Sequence, residues 1–359
     1  MSTTDSLDLS ADVVDLLQHL IDIESVSGQE DRLADAVQAA LTPYDHLAVS
    51  RHGNVVVART DQGRESRVVI AGHLDTVPIA DNVPSVRTLQ DGEDVIIGRG
   101  ACDMKAGVAV QLSCAAELTT SRHDVTWIFY DNEEVGAELN GLRQLAAERP
   151  DLFEGDFAVL GEPSNAGVEA GCQGTMRVQL TLSGTAAHSA RAWMGHNAIH
   201  DAGEILTRLD RYEPRRVLID GLEYREGLNA VEISGGIAGN VIPDRCVVSV
   251  NYRFAPSRSV EEAEAHLREV FDGFDLVVTD AAPGALPGLD RPAAQEFVTA
   301  TGGQVGPKFG WTDVSRFSAM GVPAVNFGPG NPSKAHADDE FCPVSEVYSC
   351  RDAMLAWLR

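Results

Sequence analysis

Basic residues are scarce in this chain of 359: 28 Lys and Arg face 54 Asp and Glu, a formal net charge of −26. Such a field repels phosphate backbones and anionic headgroups, which argues against nucleic acid or an anionic membrane as the main partner. An anionic substrate then needs a local basic pocket. No uninterrupted apolar stretch approaches membrane-spanning length, and the opening Met1-Ser2-Thr3-Thr4-Asp5-Ser6 has neither a basic n-region nor an apolar h-region. The expectation is a soluble, cytoplasmic protein. Cys102, Cys114, Cys172, Cys246, Cys342 and Cys350 show no C-x-x-C spacing and too low a density for a disulfide scaffold, so they read as small buried hydrophobes. No G-x-S-x-G elbow occurs, which leaves a serine hydrolase without support. Gly98-x-Gly100 lacks the third glycine of a dinucleotide loop, because Asp103 stands there, and a nicotinamide enzyme is disfavoured.

What the chain does hold is a set of short apolar runs, each leading into a potential metal ligand. Val68-Val69-Ile70-Ala71-Gly72 runs into His73-Leu74-Asp75, and Val125-Thr126-Trp127-Ile128-Phe129-Tyr130 is followed by Glu133-Glu134. Phe157-Ala158-Val159-Leu160-Gly161 runs into Glu162, and Val322-Pro323-Ala324-Val325-Asn326-Phe327 leads through a Gly/Pro loop to His336. Runs of this kind are typical of strands covered on both faces, and open α/β sheets hold ligands beyond the carboxyl ends of such strands. Four strands then deliver His, Glu and Asp to one rim.

The length favours two domains over one core. Val13, Leu16, Leu17 and Leu20 keep helical spacing, and the Ala-rich stretch 104–118 predicts a helix that places Asp103 at its entrance. From Met176 the character changes. Residues 177–182 and 246–252 alternate as half-exposed antiparallel strands do, with helical stretches at 198–209 and 260–271. These form a small α+β block inserted into the first domain, whose sheet resumes at Val322. Glycine-rich punctuation at 171–174 and 281–284 marks hinge points.

Taken singly, each candidate has a bland reading. His73 fits a hydrogen-bonded structural histidine, and Glu133-Glu134 fits a solvated first helical turn favoured by the helix dipole. Glu162 fits a turn residue and His336 a surface histidine. Taken together, at strand ends, they suit two hydrolytic metals sharing one carboxylate, for which Asp103 in Gly98-Arg99-Gly100-Ala101-Cys102-Asp103-Met104-Lys105 is the candidate.

The chain resembles the di-zinc carboxypeptidase, aminoacylase and deacylase superfamily over essentially its full length. The match rests on Gly72-His73-Leu74-Asp75-Thr76-Val77-Pro78, Gly98-Arg99-Gly100 with Asp103-Met104-Lys105, Asn132-Glu133-Glu134, Gly161-Glu162-Pro163 and His336. Within it the chain is similar to the succinyl-diaminopimelate desuccinylases of high-GC Gram-positive bacteria, through 169–174, 224–229 and 308–317. The resemblance implies two Zn2+ per subunit, with Co2+ able to substitute: Asp103 bridges, His73 and Glu162 complete one site, Glu134 and His336 the other. It makes Glu133 the general base and Asp75 the residue that orients His73, and it implies a cis peptide at Asp103-Met104. It also implies a homodimer whose inserted domain lends His188 to the oxyanion across the interface. Arg253, Asn240, Thr312 and Asn331 match substrate-contacting positions. Where several relatives carry basic residues, this chain has Cys172-Gln173-Gly174, which leaves open how the distal carboxylate is gripped.

The expected fold is therefore α/β: a discontinuous di-zinc catalytic domain, residues 1–174 and 283–359, with a mixed sheet flanked by helices, and an inserted α+β dimerisation or lid domain, 175–282. The expected activity is metal-dependent hydrolysis of N-succinyl-LL-2,6-diaminopimelate to succinate and LL-diaminopimelate, in lysine and cell-wall precursor biosynthesis. Acetylornithine deacetylase, aminoacylase or carboxypeptidase activity on the same scaffold is the alternative, and a non-catalytic dimeric binder the remote one.

Overall fold

The computed structural model describes residues 6–359, so most of the N-terminal stretch used to argue against a leader, Met1 to Asp5, lies outside the described residues. Two compact units emerge. One runs up to Ala170 and adds Pro287–Gly306 and Arg316–Arg359; the other comprises Gly171–Leu286 and Pro307–Ser315. The segment 307–315, which sequence alone left with the first domain, packs with the second unit. Trp311 Nε1 and Ser315 Oγ both donate to the Pro283 carbonyl, at 3.1 and 2.7 Å. No helix among the described residues is long and apolar enough to cross a membrane.

The first unit is organised by one mixed sheet. Its strands lie in the order Ala48–His52, Val55–Arg59, Asp124–Tyr130, Arg67–His73, Phe157–Leu160, Ala324–Asn326, Val168–Ala170 and Val305–Pro307. The four in the middle are buried almost throughout, as their apolar runs require. They are mutually parallel, with His73 opposite Tyr130, Ala71 opposite Leu160 and Asn326 opposite Leu160. Their carboxyl ends thus share one rim. The outer pairings, Val56 with Phe129 and Val325 with Ala170, are antiparallel.

The helix Lys105–Glu117 is buried on every side, which its run of Ala, Val, Leu and Cys allows. Its Gly107 touches the chain just before Glu162: a Cβ there would sit 2.1 Å from the Gly161 carbonyl oxygen, so only glycine permits the approach. Lys105 Nζ donates to the carbonyls of Leu20 and Ile23, tying this helix to the end of Val13–Asp22, whose N-cap is Asp12. All six cysteines are buried free thiols.

The second unit is an antiparallel sheet, Gly227–Gly235, Arg245–Phe254, Gly174–Ser183 and Asp275–Ala282 in that order, with helices Ala198–Asp210 and Val260–Val270 on one face. Alternation decides which side chains go inward. Met176, Val178, Leu180, Val248, Val250, Tyr252 and Phe254 join Ala202, Ile205, Ala263 and Leu267 in its core, while Arg177, Gln179, Asn251 and Arg253 face the other way.

Candidate metal centre

His73 closes its strand and is buried; its backbone continues into Asp75, which is fully buried. Asp103 stands just before the helix Lys105–Glu117, and the Asp103-Met104 peptide is cis. Its two carboxylate oxygens face different histidines: Oδ1 lies 3.2 Å from His73 Nε2, and Oδ2 lies 3.3 Å from His336 Nε2. His336 also lies 3.0 Å from the Glu134 carboxylate. Glu162 follows the strand Phe157–Leu160 and is buried.

The donor atoms gather accordingly. His73, Asp103 and Glu162 each offer one within 4.8 Å of the others, and so do Asp103, Glu134 and His336, and His73, Glu133 and Glu134. The first two sets share only Asp103. Nitrogen and carboxylate donors in this mixture suit borderline divalent cations, and the arrangement fits two of them with one carboxylate between.

Electrostatics follow from the same contacts. Hydrogen bonds to Asp103 and Glu134 push His336 up to about 10. Burial alone would lower His73, but Asp103 and Asp75 hold it well above its ordinary value. Burial opposes ionisation of Asp103 too, yet His336 and His73 keep its carboxyl well below the usual range. The carboxylates thus favour the charged form of both imidazoles.

Glu133 and Glu134 lie in a loop after Tyr130, not in a helical turn; the next helix, Gly141–Glu148, begins beyond them. What holds the loop is Asp75. Its Oδ1 accepts the Glu133 N–H and its Oδ2 the Glu134 N–H, each at 3.0 Å, while Ser27 Oγ donates to Oδ2 at 2.7 Å. His73 Nδ1 lies 3.0 Å from the Asp75 backbone oxygen and 3.4 Å from Oδ1. The carboxylate therefore engages the loop amides at 3.0 Å as well as lying beside the imidazole. Asn132, at φ 58°, donates its N–H to Glu30 Oε1 at 3.2 Å. Ser27 and Glu30 escaped sequence reasoning, since nothing in their spacing links them to residues some fifty and a hundred positions away.

The other candidates divide between the two units. His188 and Asn240 are neighbours in the second unit, where Ala187–His188 pairs with Val241–Ile242 and the Ser189 N–H donates to the Asn240 carbonyl at 2.9 Å. His188 Nδ1 accepts the Ala190 N–H at 3.0 Å, which leaves the ring proton on Nε2 of the neutral imidazole. Arg253 is half-buried opposite Gly227 and Thr175, and Thr312 is buried in the segment 307–315. Asn331, in the first unit, spends its amide oxygen on the Ser333 N–H.

Residues 69–359 match the model of peptidase family M20/M25/M40. The chain belongs to that family. It is 53% identical to a provisionally named succinyl-diaminopimelate desuccinylase of Mycobacterium tuberculosis, over 98% of this chain and 99% of that protein. It is 48% identical to a succinyl-diaminopimelate desuccinylase of Corynebacterium glutamicum, over 95% of this chain and 94% of that one. In fold it is similar to a tripeptidase from Staphylococcus aureus, with a TM-score of 0.79 at 20% identity and 98% of each chain covered. Membership of the M20/M25/M40 family and the donor set at the sheet rim together make this chain a metal-dependent hydrolase.

Proposed function

We propose that the chain hydrolyses the succinyl amide of N-succinyl-LL-2,6-diaminopimelate, releasing succinate and LL-2,6-diaminopimelate for lysine and cell-wall precursor synthesis in the cytoplasm. The observation that carries this reading is the 53% identity across 98% of the chain, which spans both compact units. The donor arrangement supports His73, Asp103 and Glu162 as holders of one divalent cation and Asp103, Glu134 and His336 as holders of the other, with zinc the proposed metal and cobalt able to replace it. When bound, these ions would supply Lewis acidity at the scissile carbonyl and at the attacking water.

Among the acidic members of the donor groups, Glu133 alone is not needed by the two sets that share Asp103. It is assigned as general base. Its carboxylate takes a proton from the water whose oxygen bonds to the carbonyl carbon, and gives that proton to the amine nitrogen as the C–N bond breaks. Asp75 keeps Glu133 in place through the loop backbone. The Nε2–H of His188 is the proposed donor to the oxyanion from a second subunit, and Arg253, with Asn240, Thr312 and Asn331, the proposed partner of substrate carboxylates.

A homodimer through the second unit is supported by the apolar side chains that its outer strand leaves exposed, Val231 and Ile233. Sedimentation at micromolar concentration reads twice the chain mass if this holds, and a fully active monomer removes the cross-subunit role. The activity is tested by comparing kcat/KM on succinyl-diaminopimelate, its acetyl analogue and dipeptides. A site built around the extra carboxylate leaves a buried cation unpaired with the acetyl analogue, which costs about 1–3 kcal/mol or roughly 10- to 100-fold. Equal efficiency on both acyl groups assigns a general deacylase instead.

A further inference from the structure

Glu340 lies four residues beyond His336 and is 1% exposed, yet it belongs to none of the donor groups. Both of its carboxylate oxygens are saturated by the turn that carries Asp103. Oε1 accepts the N–H of Cys102 and of Asp103, each at 3.0 Å; Oε2 accepts the Gly100 N–H at 3.0 Å and Arg99 Nη1 at 2.9 Å. Its own backbone carbonyl takes the Gly98 N–H at 3.1 Å. Arg99 is 3% exposed, and it reaches back the other way. The same Nη1 donates to the Ala337 carbonyl at 3.0 Å, while Nε donates to Pro78 at 3.0 Å.

One buried ion pair thus grips the backbone at Asp103 on one side and at Ala337, next to His336, on the other. The loops it joins are more than two hundred residues apart in sequence, and His336 sits at φ 66° outside any helix or strand, in a turn closed by the Ala337 N–H on the Lys334 carbonyl at 3.2 Å. His73 and Glu162, by contrast, follow directly on strands of the sheet. We propose that Glu340, clamped by Arg99, is a positioning residue that fixes Asp103 relative to His336 and so preorganises the cation site formed by Asp103, Glu134 and His336. The inference rests on reading those three side chains as ligands.

The test is a titration of metal-free protein with Zn2+ against a chelating indicator, for wild type, Glu340→Gln and Arg99→Lys, each checked for folding by circular dichroism and thermal melting. Glutamine keeps the size but turns an NH2 toward either the Cys102 and Asp103 amides or the Gly100 amide. Lysine removes the fork that spans Glu340 and Ala337. Outer-shell changes of this kind cost about 10- to 100-fold in metal affinity. The expected result is two binding steps in each protein, with one weakened by about that factor in Glu340→Gln, less in Arg99→Lys, and the other step changed by markedly less. Turnover at saturating metal should recover more than turnover at limiting metal. A lower melting temperature with both affinities unchanged shows a merely stabilising ion pair and overturns the proposal, as does equal weakening of both steps. Should Glu340→Gln fail to fold, Arg99→Lys alone decides by the same criteria. A wild-type protein that binds fewer than two ions would sink the ligand reading itself, a different failure.

Discussion

Asp75→Asn separates two ways in which a buried carboxylate can serve this site. If it acts only on the imidazole, the substitution should disturb the ion held by His73 and leave the rest intact. The hydrogen bonds say otherwise, because Asp75 accepts the amides of both Glu133 and Glu134 at 3.0 Å and the Ser27 hydroxyl at 2.7 Å. Asparagine has one acceptor oxygen where aspartate has two, so at least one loop amide would face an NH2 donor. An unsatisfied buried donor costs about 1–3 kcal/mol. That is enough to release the loop, which carries both the proposed base and the proposed ligand Glu134. The expected outcome is weaker binding of both ions, by about 10- to 100-fold, and a kcat that stays depressed even at saturating metal. Ser27→Ala removes a single donor to the same carboxylate and should have a smaller effect in the same direction. The assay is metal content after dialysis together with kcat measured at rising metal concentration. Loss of one ion only, with wild-type kcat once it is restored, would refute the role in holding the loop.

Glu133→Gln should keep two ions per chain and lose about 100- to 10,000-fold in kcat, since it removes a proton acceptor that neither cation set requires; near wild-type turnover would falsify the assignment. Cation binding should release protons. His336 is raised from 6.5 to about 10, so it is imidazolium at neutral pH before a cation binds, and Asp103 and Asp75 raise His73 in the same direction. The ion pairs of His336 therefore contribute stability fully below about pH 6.5, and that contribution is lost as pH rises through its folded value of about 10. For the same reason metal affinity should climb with pH across the neutral range. Calorimetric titration in buffers of different ionisation enthalpy counts the protons, and a heat independent of buffer would refute this.

The rim was legible in the sequence because parallel strands buried on both faces leave a distinctive trace. Val68–Gly72, Val125–Tyr130 and Phe157–Gly161 each lead within a few residues to a candidate ligand, and the four strands concerned lie side by side in the structure. The alternation at 177–182 and 246–252 likewise marked antiparallel neighbours that pair from end to end. Three-residue strands such as Val168–Ala170 and Val305–Pro307 are too short to show any period. The Glu133-Glu134 loop was ambiguous for a different reason. Two adjacent acids suit a helical turn, but here tertiary contacts from Glu30 and Asp75 hold the loop that carries them.

Ser27, Glu30, Arg99 and Glu340 share a property that hides them: each works on backbone groups or on another carboxylate, so no residue type at the far end signals the contact. In a chain this acidic, a carboxylate beside the site can be a ligand or a holder, and composition does not distinguish them. Their partners do. Asp75, Glu30 and Glu340 accept backbone N–H groups, and Glu340 is paired with Arg99 as well. Asp103 and Glu134 face imidazoles, which carry a compensating proton only until something of higher charge displaces it. On the proposed assignment, the holders fix the loops and the ligands remain exchangeable. A rim built in this way can bind and lose its ions without the fold having to follow, provided the holders, rather than the metals, set where Asp103, Glu133 and Glu134 stand.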